Sequence, residues 1–82
     1  MTEKDILRLA AVRAAARSGA ARKIRIAAGL AQSEIAEVCG VARPTISAWE
    51  QGTRTPRGTA ALRWAHVLDR LEDRLKESRA AA

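Results

Sequence analysis

The chain has 82 residues, room for one small hydrophobic core, and this excludes a separate ligand-binding or catalytic domain. Fifteen Lys and Arg against nine acids leave a formal net charge of +6, which suits a polyanionic partner without identifying it. There is no Tyr, no Phe and one His, so the aromatic platform of a single-strand or RNA-reading surface is missing and duplex DNA is favoured.

Five helical stretches are expected, in an all-α chain. Thr2 can cap a first helix from about Glu3 to Arg17, with Ile6, Leu9, Val12 and Ala16 as its apolar stripe. This segment has no cationic lead, and Arg8, Arg13 and Arg17 interrupt its alanines. Neither a signal peptide nor a membrane span is expected, and the predicted location is the cytoplasm. Ser18-Gly19 marks a break. A second helix, Ala20 to Ala28, ends near Gly29, after which Leu30 turns inward.

The stretch from Gln32 to Gly52 carries the most information. On a helix from Gln32 to about Cys39, Ile35, Val38 and Cys39 share one face at i, i+3 and i+4; Ile46 and Trp49 repeat the i, i+3 spacing on a second helix. Gly40, between them, can take φ > 0 at no steric cost, and Ala36 is small enough for the helices to approach closely. These features describe a helix-turn-helix whose second helix enters a DNA major groove. Ala31 supplies no side-chain cap, and Pro44 is tolerated in a first helical turn, where its missing N–H would be unpaired anyway. Cys39, the only cysteine, occupies a core-facing position and reads as a small buried hydrophobe rather than a redox or metal group. Glu50 shares the face of Ile46 and Trp49, where an unpaired carboxylate is costly, so a partner is required.

A loop, Gly52 to Gly58, follows. Thr59 can cap a last helix running to about Ser78, with Leu62, Ala65, Leu68, Leu71 and Leu75 as its stripe. Trp49 and Trp64 stand at core spacing and read as packing residues, and His66 as a solvated or core-satisfied histidine.

The run GLAQSEIAEVCGVARPTISAWEQGTRTP resembles the Cro/cI-type (XRE-like) helix-turn-helix domain of phage repressors and many bacterial regulators. Gly29-Leu30, Gln32, Glu34-Ile35-Ala36, Gly40-Val41, Ile46-Ser47, Trp49-Glu50, Gly52 and Pro56 carry the likeness, which spans about Arg22 to Leu71. The resemblance implies a lambda-repressor-like fold of about five helices. It also implies that Arg25 bridges to Glu50 and points toward a phosphate, and that the outward positions of the second helix of the motif work at base edges.

Those outward positions are Arg43, Pro44, Ser47, Ala48 and Gln51. Arg43 is the best placed by chemistry, since a guanidinium can hold guanine O6 and N7 with two parallel bonds, while Pro44 and Ala48 offer apolar contact. Gln32 stands at a helix N-terminus, where free N–H groups and the dipole favour phosphate. Arg54 and Arg57 in the loop, with Thr45, complete the expected phosphate set; for Arg43, Gln32 and the loop arginines the alternative is a solvated side chain.

The expected domain is single, 1–82. It divides into an N-terminal helical extension over 1–19, the Cro/cI-type core over 20–71, and a helix end with a frayed tail over 72–82. The expected function is sequence-specific binding of a duplex operator as a transcriptional regulator, a repressor of phage or bacterial origin. No nucleophile-base pair, metal set or phosphate-cradling loop is present, so neither an enzyme nor a cofactor, metal or small-molecule ligand is expected. The alternative class is an interaction module, an antitoxin or bridging factor on the same fold. A weak homodimer through the terminal helices, completed on a palindromic operator through the C-terminal one, is set against packing of those two helices within one monomer.

Overall fold

Thr2 closes the first turn of the chain: its hydroxyl accepts the Asp5 N–H (3.1 Å), and the Asp5 carboxylate accepts the Thr2 N–H in return (3.2 Å). In a computed structural model, which describes residues 1–81, this cap starts α1 (Glu3–Ser18). It is followed by α2 (Ala20–Ala27), α3 (Gln32–Cys39), α4 (Arg43–Gln51) and α5 (Gly58–Ala81). No strand occurs among the described residues.

Gly19 ends α1 and opens α2 at φ +86°, a left-handed conformation that costs glycine nothing and other residues steric strain. Gly40 does the same between α3 and α4 at φ +74°. A side chain there would also meet the Arg63 guanidinium, 3.0 Å from where its Cβ would stand. At α3, Ala31 indeed gives no side-chain cap, but Glu34 accepts the Ala31 N–H (2.9 Å) and satisfies one of the free donors of that end. Pro44 lies in the first turn of α4.

One core joins all five helices. Leu9, Val12 and Ala16 of α1, Ala21 of α2, Ile35, Ala36 and Cys39 of α3, Ile46 and Trp49 of α4, and Ala61, Trp64, Ala65 and Leu68 of α5 are buried together. The Trp49 and Trp64 rings pack at 5.0 Å between centroids, inclined by 37°, and fasten α4 to α5. Leu30 packs against this core, as its inward turn predicts.

Several expectations need correction. Ile6 stands 52% exposed and Val38 59% exposed, so neither belongs to its predicted core stripe. On α3 the inner face is Ile35, Ala36 and Cys39, because α4 and α5 cover the helix from the Ala36 side. Helix α5 continues past Ser78 to Ala81, where a frayed tail was expected; Ala82 lies outside the described residues. His66 is exposed.

Helix α1 packs on α5 within the single chain, and Arg13 Nε donates to the Pro56 carbonyl (2.8 Å), tying α1 to the loop ahead of α5. Leu68 is thereby buried and Leu71 packed against the core. No helix among the described residues is long and apolar enough to cross a membrane.

Candidate nucleic-acid interface

A chain of polar contacts runs from the inside of the molecule to the exposed end of α4. Arg25, in the last turn of α2, donates from Nε to Glu50 Oε2 (2.7 Å), from Nη2 to Glu50 Oε1 (2.9 Å) and from Nη1 to the Leu30 carbonyl (2.9 Å). Both side chains are largely enclosed, 11% exposed for Arg25 and 2% for Glu50. Gln32, the first residue of α3, donates from Nε2 to Glu50 Oε1 (3.0 Å), and its side-chain Oε1 accepts from Arg43 Nη1 (2.9 Å). Helices α2, α3 and α4 are thus linked through four side chains, ending on Arg43.

The electrostatics follow from this geometry. Burial pushes the Glu50 carboxyl up. Hydrogen bonds from Arg25 and Gln32, with the positive charge of Arg25 and Arg22, outweigh it and hold the carboxyl below its ordinary value. The hydrogen bond to Glu50 raises Arg25 in turn, against burial, which lowers it. The pair is ionised, its two carboxylate oxygens satisfied by three donors.

The outward face of α4 carries Arg43 and Pro44, both exposed, then half-buried Ser47 and Ala48, then exposed Gln51. Gln51 Nε2 donates to the Ser47 hydroxyl (3.1 Å), so these two amide and hydroxyl groups form one polar unit a turn below Arg43. The opposite face holds Ile46, Trp49 and Glu50 in the interior. Beyond α4, Thr45, Trp49, Thr53, Arg54, Thr55 and Arg57 line a cleft of about 420 Å³, which places three threonines beside two exposed arginines.

The structure therefore brings Arg43, Pro44, Ser47, Ala48 and Gln51 to one surface and gathers Thr45, Arg54 and Arg57 next to it. Arg25 and Gln32 face inward, toward Glu50. Sequence reasoning missed that Gln32 links Glu50 to Arg43. The available signal was position: Gln32 opens α3 and Arg43 opens α4, so both side chains stand at helix N-termini. Among the described residues no group of three or more His, Cys, Asp or Glu side chains gathers as metal ligands.

A helix-turn-helix family model matches residues 22–75, well over half of the chain, from α2 through most of α5. Neither the curated proteins nor the solved structures gave a match.

Proposed function

The chain belongs to the Cro/cI-type, XRE-like helix-turn-helix family of DNA-binding transcription regulators, and from that premise we propose that it reads duplex DNA in sequence-specific fashion, acting as a repressor that occupies an operator. The observation that carries this reading is Arg43. It stands exposed at the start of α4, anchored through Gln32 to a buried ion pair, with Ser47 and Gln51 on the same face. In the major groove α4 would present Arg43 to a guanine, Ser47 and Gln51 to neighbouring base edges, and Pro44 and Ala48 to a thymine methyl. Arg54, Arg57 and Thr45 would hold the flanking backbone, which fixes register without reading sequence. Arg25 and Gln32 would serve that surface from beneath, by holding Glu50 and Arg43 in place. Any phosphate contact of their own would have to use the donors that the internal bonds leave over.

Selection of binding sites from random duplexes by the purified protein, followed by sequencing, tests the proposal. A shared enriched motif is expected; an unenriched pool would refute it and favour the interaction-module alternative. Arg43→Ala should weaken specific binding by about 1–3 kcal/mol and relax preference at one position of each half-site. An equal loss on specific and random duplexes would assign Arg43 to phosphate instead.

The backbone role has its own readout. Arg54→Ala and Arg57→Ala should each lower affinity on every sequence and reduce the slope of log affinity against log salt by about one, because each neutralised phosphate releases condensed counterions. Unchanged slopes in both variants would remove the loop from the interface.

A further inference from the structure

An open groove of about 710 Å³ runs between α1, α2 and α5, and α4 contributes nothing to its lining. Its two long walls are antiparallel. Arg13, in the second half of α1, binds the Pro56 carbonyl just ahead of α5, so α5 sets out beside the end of α1 and passes back toward its start. From Lys4 to Ala15 the α1 wall measures roughly 16 Å, three turns of a helix.

The lining changes along that length. Where α2 closes the groove it is apolar and mostly of small side chains, with Ala11 and Ala15 of α1, Ala20 and Ile24 of α2, and Ala65 of α5. Toward the start of α1, Leu7 and Leu68 carry the apolar floor onward, Leu7 with 62% of its surface exposed, and charges take over the edges. Lys4 and the half-buried Arg8 rise from α1, with Glu3 at its outermost turn, while Asp69 and Glu72, both exposed, rise from α5. One wall is net positive and the other negative. No ion pair joins them among the described residues, where the pair formed is Arg25–Glu50.

We propose that this groove receives an amphipathic helix of a different protein, laid lengthwise between α1 and α5. That helix presents bulky aliphatic side chains at i, i+3 and i+4 to the alanines, acids along the edge toward Lys4 and Arg8, and bases along the edge toward Asp69 and Glu72. The shape selects a helix. Alanine walls let another backbone come close, and large side chains on it fill the space that the alanines leave. A trough three turns long and open along one side suits a rod better than a small molecule, which needs a concave site that encloses most of its surface. The charges select its pattern. A wholly basic helix meets Lys4 and Arg8 in a chain already at +6, and a wholly acidic one meets Asp69 and Glu72; a helix with one edge of each sign satisfies all four. Because α4 lies outside the groove, the partner helix can be held while α4 rests on a duplex, which makes the chain an adaptor between DNA and a second protein. The groove itself does not depend on what α4 reads.

Synthetic helices, stapled to enforce helicity, labelled and sharing one leucine stripe, test this by fluorescence anisotropy against the full chain. Two carry Glu on one edge and Lys on the other, in the two edge orders; a third has Lys on both edges and a fourth Glu on both. One of the mixed helices should bind at least about tenfold tighter than either single-sign helix, and Leu7→Glu should weaken it by a similar factor. Lys4→Glu with Arg8→Glu makes both walls acidic and should move the preference to the all-Lys helix. Asp69→Lys with Glu72→Lys, at exposed positions that the fold does not rely on, should move it to the all-Glu helix. Four helices that bind alike, none that binds, or a preference unmoved by the Asp69 and Glu72 reversal would overturn the proposal. So would sedimentation showing the chain alone as a dimer that Leu7→Glu dissolves, since a second copy would then own the groove. None of these outcomes bears on duplex selection by α4, so the two readings fail separately.

Discussion

Arg25→Ala should lower the free energy of unfolding by about 3–5 kcal/mol, the cost of leaving an enclosed carboxylate without its counter-charge. Glu50 is almost sealed from water and would keep only the Gln32 amide as a partner. The loss should depend on pH. In the parent, Glu50 titrates below its ordinary range, so the pair contributes fully above about pH 4.3 and its contribution is lost as pH falls through the lowered folded value. Without Arg25, burial dominates and the carboxyl shifts the other way, which favours the variant relatively in acid. The gap between parent and variant should therefore be widest near neutrality and narrow below about pH 4. Urea titrations followed by circular dichroism at several pH values measure it. A gap under about 1 kcal/mol at neutral pH would mean that water replaces the guanidinium and that the pair behaves as a surface one. Replacing both partners together, as Arg25→Met with Glu50→Leu, should recover much of the loss, since an apolar pair leaves no charge unmatched.

The second large effect is expected at Trp64. It is 1% exposed, packs against Trp49 and is the largest fully buried side chain. Truncation to Ala removes its transfer free energy and leaves a cavity where α4 meets α5, about 3–5 kcal/mol in all. A chain of this size holds on the order of 4–12 kcal/mol in total, so the variant should unfold at a much lower Tm or lose a cooperative transition. His66→Ala, two positions on and exposed, should stay within about 0.5 kcal/mol of the parent. A Trp64→Ala variant with nearly parental Tm would show that neighbouring side chains collapse into the space. Any such destabilisation should also loosen α4, whose Trp49 shares this contact.

Most of the fold was legible because its boundaries are written in local chemistry. Thr2 with Asp5, Gly19 and Gly40 set helix ends through caps and left-handed turns that depend on few neighbours. Periodicity placed Ile46, Trp49 and Glu50 on the inner side of α4, and with them the outward residues of the candidate interface. It fell short where a residue's surroundings depend on which distant element arrives. Ile6 and Val38 satisfy their helical spacing, yet no helix comes to cover them. The bond from Arg13 to Pro56 spans 43 positions, and no local pattern announces it. Gln32 was readable as a helix-opening residue, but not as an internal link, because that role exists only once Glu50 and Arg43 are brought to either side of it.

Cys39 turns the folded motif into its own reporter. Its side chain is completely enclosed between α3 and its neighbours, and burial pushes the thiol up to about 11, against a small opposing pull from Arg63. At neutral pH only on the order of one thiol in ten thousand is ionised, and the thiolate is the form that attacks electrophiles. Both barriers vanish together when α3 lifts away from the core. As the chain contains a single sulfhydryl, its alkylation clocks excursions of the helix-turn-helix itself, without any label having to be engineered into the protein.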